Sequence, residues 1–389
     1  MTAITTVAGV QDTESGTAAE HVIDMAPDIA MLDPDTSQFM TILQRLPSKV
    51  ATQVKVNWLE DQLFPNYSSL ANSAASGDTS LVVATGEGAY FRAGDIVFVE
   101  SSGEKVLVSS ISTDTLTVSR ALGGTAAATA QTGVGLLIVG NASRQGADTG
   151  TLKATVRVLQ YNYSQIFRMP WGFTGTEAEV ELYGADDPER ETAKKTIEHK
   201  RQLELAVWLG ARSFSSASNS SLGTMGGVKE FLSTNVFTAF GAVSLTGIDA
   251  KLEQIYQHGS LNKVAFVGPI AARGLSNAFA TNWVRARPDD NVYGAKVNAF
   301  LNGNYGASLP IITKRDWGNY GSAGYGLKGA MFVLDLDLLA RRPMRNRDTR
   351  VLPNRQGNGQ DQVVFDILTE QSFQLQQEKA HGAIFGITG

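Results

Sequence analysis

The 389-residue chain contains no cysteine, which excludes disulfides, thiolate metal sites and cysteine nucleophiles. Histidine is scarce as well, since only His21, His199, His258 and His381 occur. No apolar run approaches the roughly 18 residues that a membrane span needs. The N-terminus lacks the basic start and the apolar stretch of a secretory signal. These absences predict a soluble product that stays inside a cell or leaves it by lysis.

A basic excess is also missing, because the formal net charge is −5. A dedicated nucleic-acid-binding protein usually carries a basic surface. The pattern GxGxxG occurs at Gly324, Gly326 and Gly329, but a strand-like segment follows it, whereas a dinucleotide site requires a helix there. His199 lies in a helical stretch without the HExxH spacing of metallopeptidases, and we expect it to be exposed. The sequence therefore predicts no enzyme, no cofactor and no metal site.

Negative charge is concentrated at the N-terminus. The first 44 residues contain no Lys or Arg and carry seven acids: Asp12, Glu14, Glu20, Asp24, Asp28, Asp33 and Asp35. This composition gives the segment little core of its own. Two interpretations remain open, a solvated tail and an arm that becomes ordered when another subunit holds it.

Short alternating apolar runs predict a β-meander, with strands at 96–99, 106–108 and 116–118. The meander belongs to residues 73–145, which lie between two strand-like stretches, 50–66 and 150–171. We predict an all-β insertion at the tip of a long hairpin, with alternation from Leu152 to Val158 marking the returning strand. Its aromatic residues Tyr90, Phe91 and Phe98 are too few for a typical sugar-binding face, so we expect them in its core.

A long helix is predicted at 186–213, because Asp186 and Asp187 precede Pro188 at its first turn. Its first half is charged and its second half is apolar almost all round. An α/β pattern follows from about residue 245, with a buried-type strand at 263–267. Near the C-terminus, VVFDIL and SFQLQQ are predicted as two further strands.

Positive charge is concentrated in RRPMRNRDTRVLPNR, where Arg341, Arg342 and Arg345 come first. Three interpretations compete: a solvated loop, a phosphate-contacting patch and a basic surface that docks an acidic neighbour. The acids Asp24, Asp28 and Asp33 offer such a partner within the same sequence. Complementary charges can steer subunits into register, and we treat these six residues as candidate subunit contacts.

The order of elements resembles that of the major capsid proteins of tailed bacteriophages, which share the Hong Kong 97 phage fold, in the branch formerly catalogued as a domain of unknown function. The stretches that carry the resemblance are LPSKVATQVKVNWLEDQL, KKTIEHKRQLELAVWLGARS, TMGGVKEFL, NKVAFVGPIAARGLSNAF and TEQSFQLQQEKAHGAIFGI. They span nearly the whole chain, and their order is more specific than any one of them.

The resemblance implies an α+β fold with named parts. They are an N-terminal arm (1–45), extended-loop strands (46–72 and 146–172), an inserted β-domain (73–145), a peripheral domain (173–239 and 346–389) with a spine helix at 186–213, and an axial domain (240–345). It also implies a virion protein that self-assembles into hexamers and pentamers of an icosahedral shell around double-stranded DNA. Scaffolding, portal and decoration proteins are further candidate partners, and assembly would take place in the host bacterial cytoplasm. Trp58, Phe64, Trp171 and Phe173 are candidate contact anchors near the base of the hairpin, with intramolecular core as the equal alternative.

Three other functions remain open. An encapsulin-like compartment shell would share the fold and predicts a protein cargo. A phage tail or adhesion protein predicts saturable sugar binding by residues 73–145 and trimers instead of shells. A hydrolase predicts turnover that one acid or hydroxyl substitution abolishes.

Overall fold

The chain forms two compact units in the computed structural model, one made of residues 1–57 and 161–389 and the other of residues 58–160. The structure describes residues 37–146, 150, 152–180, 187–216, 221–278, 283–284, 291–292, 295–296, 298–302, 307–321 and 323–388. We call residues 58–160 the insertion unit and the remainder the main unit.

The helices are α1 Gln38–Arg45, α2 Gly175–Glu179, α3 Asp187–Leu209, α4 Val228–Phe231, α5 Leu245–Tyr256 and α6 Pro269–Ala278. The first strands are β1 Lys55–Glu60, β2 Tyr67–Ser69, β3 Ser80–Val82, β4 Asp95–Val99, β5 Glu104–Ser112, β6 Thr115–Ser119, β7 Gly135–Asn141, β8 Val158–Tyr163 and β9 Gln165–Thr174. The strands after α3 are β10 Ser213–Ser215, β11 Leu222–Thr224, β12 Val236–Phe237, β13 Gly241–Ala242, β14 Lys263–Val267, β15 Trp283–Val284, β16 Asn291–Val292, β17 Ala295–Lys296, β18 Asn298–Asn302 and β19 Ala307–Thr313. They continue with β20 Met331–Asp335, β21 Leu339–Pro343, β22 Arg350–Leu352, β23 Gln362–Leu375, β24 Gly382–Ile384 and β25 Ile387–Thr388.

The insertion unit contains a closed six-stranded β-barrel. Its strands run in the order β2-β7-β4-β5-β6-β3, and the predicted meander is confirmed as the consecutive antiparallel strands β4, β5 and β6. The two end strands meet, because Ala71 N donates to Val82 O at 2.8 Å and Ala84 N donates to Ser69 O at 3.0 Å. Among the described residues, this closure leaves the six-stranded sheet without an unpaired edge at which another chain could add a strand.

Small aliphatic side chains fill the barrel interior. Val97, Val99, Val106 and Leu116 are all 2% exposed or less. Phe91 is buried with them and Tyr90 packs against the cluster, as expected from the sequence. The expectation for Phe98 is wrong: it is half-buried, because Val97 and Val99 take the inward positions and side chains alternate along a strand.

Strands β1 and β8 pair and form the ribbon through which the chain enters and leaves the insertion unit. The predicted returning strand begins later than expected. Residues 152–157 form no strand, and Leu152 and Val156 are 87% and 85% exposed. Their alternating pattern predicts a pairing partner, and none of the described residues provides one.

The main unit contains a four-stranded sheet centred on β23. The two predicted C-terminal strands, at 363–368 and 372–377, belong to this one strand, because β23 runs without a break from Gln362 to Leu375. Strand β9 pairs with its first part, from Gln362↔Thr174 to Gln371↔Gln165. On its other edge, β23 pairs with β21 and β22.

Helix α3 packs one stripe of its surface into the main unit, since His199, Leu203, Val207 and Trp208 are nearly inaccessible. The helix ends at Leu209 and not at residue 213, because the following chain turns away to pair Ser213 with Thr224 in β10–β11. The expected exposure of His199 is also wrong. It is 1% exposed, and its Nε2 lies 2.8 Å from Thr369 Oγ1 on β23.

A seven-stranded sheet in the order β12-β24-β20-β14-β19-β18-β15 forms the α/β part of the main unit. The predicted strand at 263–267 is confirmed as β14, which is buried throughout. Its residues Val264 and Phe266 face a core shared with α1 and α3, while Ala265 and Val267 face α5 and α6. Within the described ranges, no helix is long and apolar enough to cross a membrane.

Candidate assembly surfaces

The first described helix, α1, is fixed to the main unit by a buried carboxylate. Glu204 on α3 is 2% exposed and pairs with the fully buried Lys314, which follows β19. The Glu204 oxygens also accept hydrogen bonds from the backbone N–H groups of Phe39 and Met40, at 3.4 Å each. Burial raises the pKa of Glu204, and Lys314 opposes this effect. The network therefore holds the start of α1 against α3 and the end of β19.

A second buried polar network joins β14, β20 and the segment before β24. Lys263 Nζ lies 3.9 Å from Asp335 Oδ2 and donates to the carbonyl oxygens of His258 and Ala380, at 2.8 and 2.5 Å. Asp335 N donates to His381 Nδ1 at 3.1 Å. Lys263, Asp335 and His381 are all inaccessible to solvent, so the network holds strands together and offers no surface to a ligand.

The free energy of unfolding should fall between pH 6.5 and pH 4 because of His381. Burial lowers the pKa of His381 to about 4, so the unfolded chain binds a proton in this range that the folded chain does not. Stability is complete above pH 6.5, declines as the pH falls, and loses about 3 kcal/mol by pH 4 from this residue alone. Urea titrations of the wild type and His381→Gln at pH 7 and pH 4.5 measure the difference. His258→Gln, at an exposed position, is the control for replacing a histidine by glutamine.

Exposed apolar side chains occur on two segments of the insertion unit outside the barrel, 59–64 and 152–156. Leu59, Leu63, Phe64, Leu152 and Val156 are between 39% and 94% exposed. We call these five residues the apolar arm. Leu63 and Phe64 line one surface pocket with residues 153–155, so the two segments lie side by side. Exposed apolar surface marks interaction sites in soluble proteins where it is contiguous.

The predicted anchors differ in accessibility. Trp58 and Trp171 are 7% and 8% exposed, and Trp171 stacks on Phe365 at 5.4 Å between ring centroids. Phe173 is half-buried. Burial within one chain favours the core interpretation for both tryptophans, whereas Phe64 retains the accessibility that a contact anchor needs.

The three arginines predicted as subunit contacts also differ in exposure. Arg341 is 9% exposed, forms an ion pair with Asp348 and donates from Nε to Gln371 Oε1 at 2.6 Å. The charge of Arg341 is therefore balanced within the chain, whereas the arginine-rich sequence 341–355 predicts a freely exposed surface charge. Arg342 is half-buried, and Arg345 is exposed. Their predicted acidic partners Asp24, Asp28 and Asp33 lie outside the described residues.

One residue that organises these surfaces, Asn162, has no signal in the sequence. Asn162 is fully buried and donates from Nδ2 to Phe373 O and Gly226 O, while its Oδ1 accepts from Gly226 N. Its partners are 64 and 211 positions away, so no local pattern relates them. No group of three or more potential metal ligands occurs in the described part of the chain.

Comparison with known proteins gives a family match over almost the whole chain. A family model described as SU10 major capsid protein matches residues 4–388. A search of curated proteins gives no match.

Solved structures resemble the chain at low sequence identity. The capsid of a native GTA particle, computed with C5 symmetry, has a TM-score of 0.52 at 9% identity and covers 97% of this chain and 98% of that chain. A Mycobacterium phage Bobi structure has a TM-score of 0.48 at 10% identity and covers 96% and 97%. The SrpI encapsulin complex from Synechococcus elongatus PCC 7942 has a TM-score of 0.43 at 10% identity and covers 60% and 78%. The likeness to the GTA capsid shows a shared fold.

Proposed function

Because the chain belongs to the SU10 major capsid protein family, we propose that its copies assemble as hexamers and pentamers of an icosahedral shell around double-stranded DNA. It is a shell-forming capsid protein of the virion, and the predicted family and Hong Kong 97 phage fold are confirmed. Family and fold are those of structural proteins, from which we infer an architectural role without catalysis.

The proposed parts keep the boundaries that the resemblance implies. Residues 1–45 form the N-terminal arm, 46–72 and 146–172 the extended loop, and 73–145 an inserted β-domain. The peripheral domain (173–239 and 346–389) contains α3 as its spine helix, and 240–345 form the axial domain. The closed barrel, whose end strands meet and whose interior is filled by aliphatic side chains, supports a decorating role for the insertion. Scaffolding, portal and decoration proteins are proposed partners, with assembly in the host cytoplasm and non-specific contact with packaged DNA.

The apolar arm is the observation that best supports the proposal of self-assembly. Its side chains are exposed in the single chain, and residues 152–157 have the alternating pattern of a strand without a strand partner. An isolated ribbon of this kind is marginal in water. Neighbouring copies in a shell would cover these side chains and supply the missing contacts. Trp58, Trp171, Arg342 and Arg345 remain secondary contact candidates.

Removing the apolar arm should prevent shell formation without unfolding the chain. We expect Leu63→Ser, Leu152→Ser and Val156→Ser together to leave wild-type thermal unfolding nearly unchanged, because these side chains are 85–94% exposed. Shell formation is measured by negative-stain electron microscopy and by sedimentation, both for the purified full chain and for a phage-producing lysate. The double variant Leu222→Ser/Leu261→Ser, at positions 66% and 55% exposed in the main unit, is the matched control.

Closed shells or five- and six-membered rings from the wild type and the control, but not from the triple variant, support the proposal. A monodisperse monomer or trimer in every wild-type sample would contradict it. Shells that contain protein cargo instead of DNA would favour the compartment alternative.

A further inference from the structure

One face of the β23 sheet carries a group of arginines drawn from distant parts of the sequence. Arg168 on β9, Leu368 on β23 and Arg350 on β22 lie in one row, since each is the register partner of the next. Arg342 on β21 is opposite Ser372, four positions along β23 from Leu368. Side chains alternate along a strand, so all these positions point to the same side of the sheet. We call Arg168, Arg342 and Arg350 the arginine face.

The positive charge of this face is only partly balanced. Arg168 pairs with Asp366 at 3.1 Å, although its side chain is 60% exposed. Arg342 donates to the neutral Gln374 Oε1 at 3.0 Å, and burial lowers the pKa of its guanidinium. Neither Arg342 nor Arg350 has a carboxylate partner among the described residues. Leu368, which lies between Arg168 and Arg350 in the row, is 3% exposed.

The use of arginine instead of lysine on this face indicates which chemical groups it can bind. No lysine occurs between Lys328 and Lys379, although six arginines lie between 341 and 355. Arginine presents a planar fork of donors that matches carboxylates and phosphates in a bidentate geometry, which lysine cannot do. The face is therefore suited to several anionic groups presented along a flexible chain.

We propose that the arginine face binds the acidic N-terminal segment, residues 12–35, of the same chain. The segment carries seven carboxylates, and no Lys or Arg occurs among the first 44 residues. The 36 residues before Ser37 can span up to about 120 Å when extended, so distance does not prevent the contact. Covalent linkage also gives the segment a high effective concentration at the face of its own chain. DNA phosphates would fit the same donors but lack this advantage.

A photo-reactive benzoylphenylalanine at position 24 of the full-length chain tests the contact. We expect cross-links to peptides containing 166–170 or 342–352, mapped by mass spectrometry. Replacing Arg168, Arg342 and Arg350 by Gln should lower the yield by about tenfold. The control variant Arg273→Gln/Arg315→Gln/Lys379→Gln removes equal charge at exposed positions elsewhere and should retain the cross-link.

A charge swap gives a second measurement. Arg342→Glu/Arg350→Glu should abolish the cross-link, and adding Asp28→Arg/Asp33→Arg should restore it. Cross-links elsewhere, or a yield that the triple Gln variant does not change, would overturn the inference. Retardation of a double-stranded DNA fragment that is lost in the triple Gln variant, without any cross-link, would assign the face to DNA instead. Shells that form without the cross-link would contradict only this inference and leave the proposed function intact.

Discussion

Replacing Lys314 by Met should lower the free energy of unfolding by about 3–5 kcal/mol, the range found when one partner of a buried ion pair is removed. Lys314 is inaccessible to solvent, and Glu204, its partner, is 2% exposed. Without the ammonium group, the Glu204 carboxylate keeps, among the described residues, the N–H groups of Phe39 and Met40 at 3.4 Å as hydrogen-bond donors. Chemical denaturation of the unassembled chain at pH 7 measures the loss.

A double variant separates charge from packing. Glu204→Gln/Lys314→Met removes both charges and keeps an oxygen that can accept from α1, so most of the lost stability should return. Arg168→Met breaks an ion pair whose arginine side chain is 60% exposed, and we expect a change of about 1 kcal/mol or less. If Lys314→Met were no more destabilising than Arg168→Met, the buried pair would not hold α1 in place.

The pair also shows why the sequence predicts some elements and misses others. Glu204 lies in the half of α3 that reads as apolar almost all round, and Lys314 is 110 positions away. No periodic pattern links them, because only the fold brings them together. By contrast, β14 and the meander strands β4 to β6 were predictable, since their burial repeats along a local run of residues.

The errors have physical causes that can be named. Residues 152–157 alternate like a strand, but a strand needs a partner, and the described residues supply none. Arg341 belongs to an arginine run that looks like one surface, yet Arg341 points to Asp348 and Gln371 while Arg342 points to the opposite side of β21. Charge density along a sequence therefore did not indicate which arginines share a face. Arg168 joins Arg350 only through the register of β9, β23 and β22.

Trp208 occupies the centre of an aromatic cluster that joins α1, α3 and the α/β sheet. Its ring lies 4.3 Å from that of Phe39, 5.2 Å from that of Phe266 and 4.9 Å from that of Phe332, measured between centroids. Trp208 is fully buried, and its Nε1 has no hydrogen-bond partner among the described residues. Its contribution is therefore packing, with no hydrogen bond to lose on substitution.

Trp208→Ala should cost about 3–5 kcal/mol, as large-to-small substitutions of buried aromatic residues do, and Trp208→Phe about 1.5 kcal/mol or less. The alanine variant should also be cleaved faster by protease between residues 37 and 45, because Phe39 loses the ring on which it stacks. Trp171→Ala is the matched control, because Trp171 stacks on Phe365 in the β23 sheet. This substitution should lower the free energy of unfolding by less than Trp208→Ala and should not expose α1. Equal losses for the alanine and phenylalanine variants would mean that the indole makes a polar contact after all. If protease cleaved α1 at the same rate in Trp208→Ala and Trp171→Ala, the Glu204–Lys314 pair would hold the helix in place without the aromatic stack.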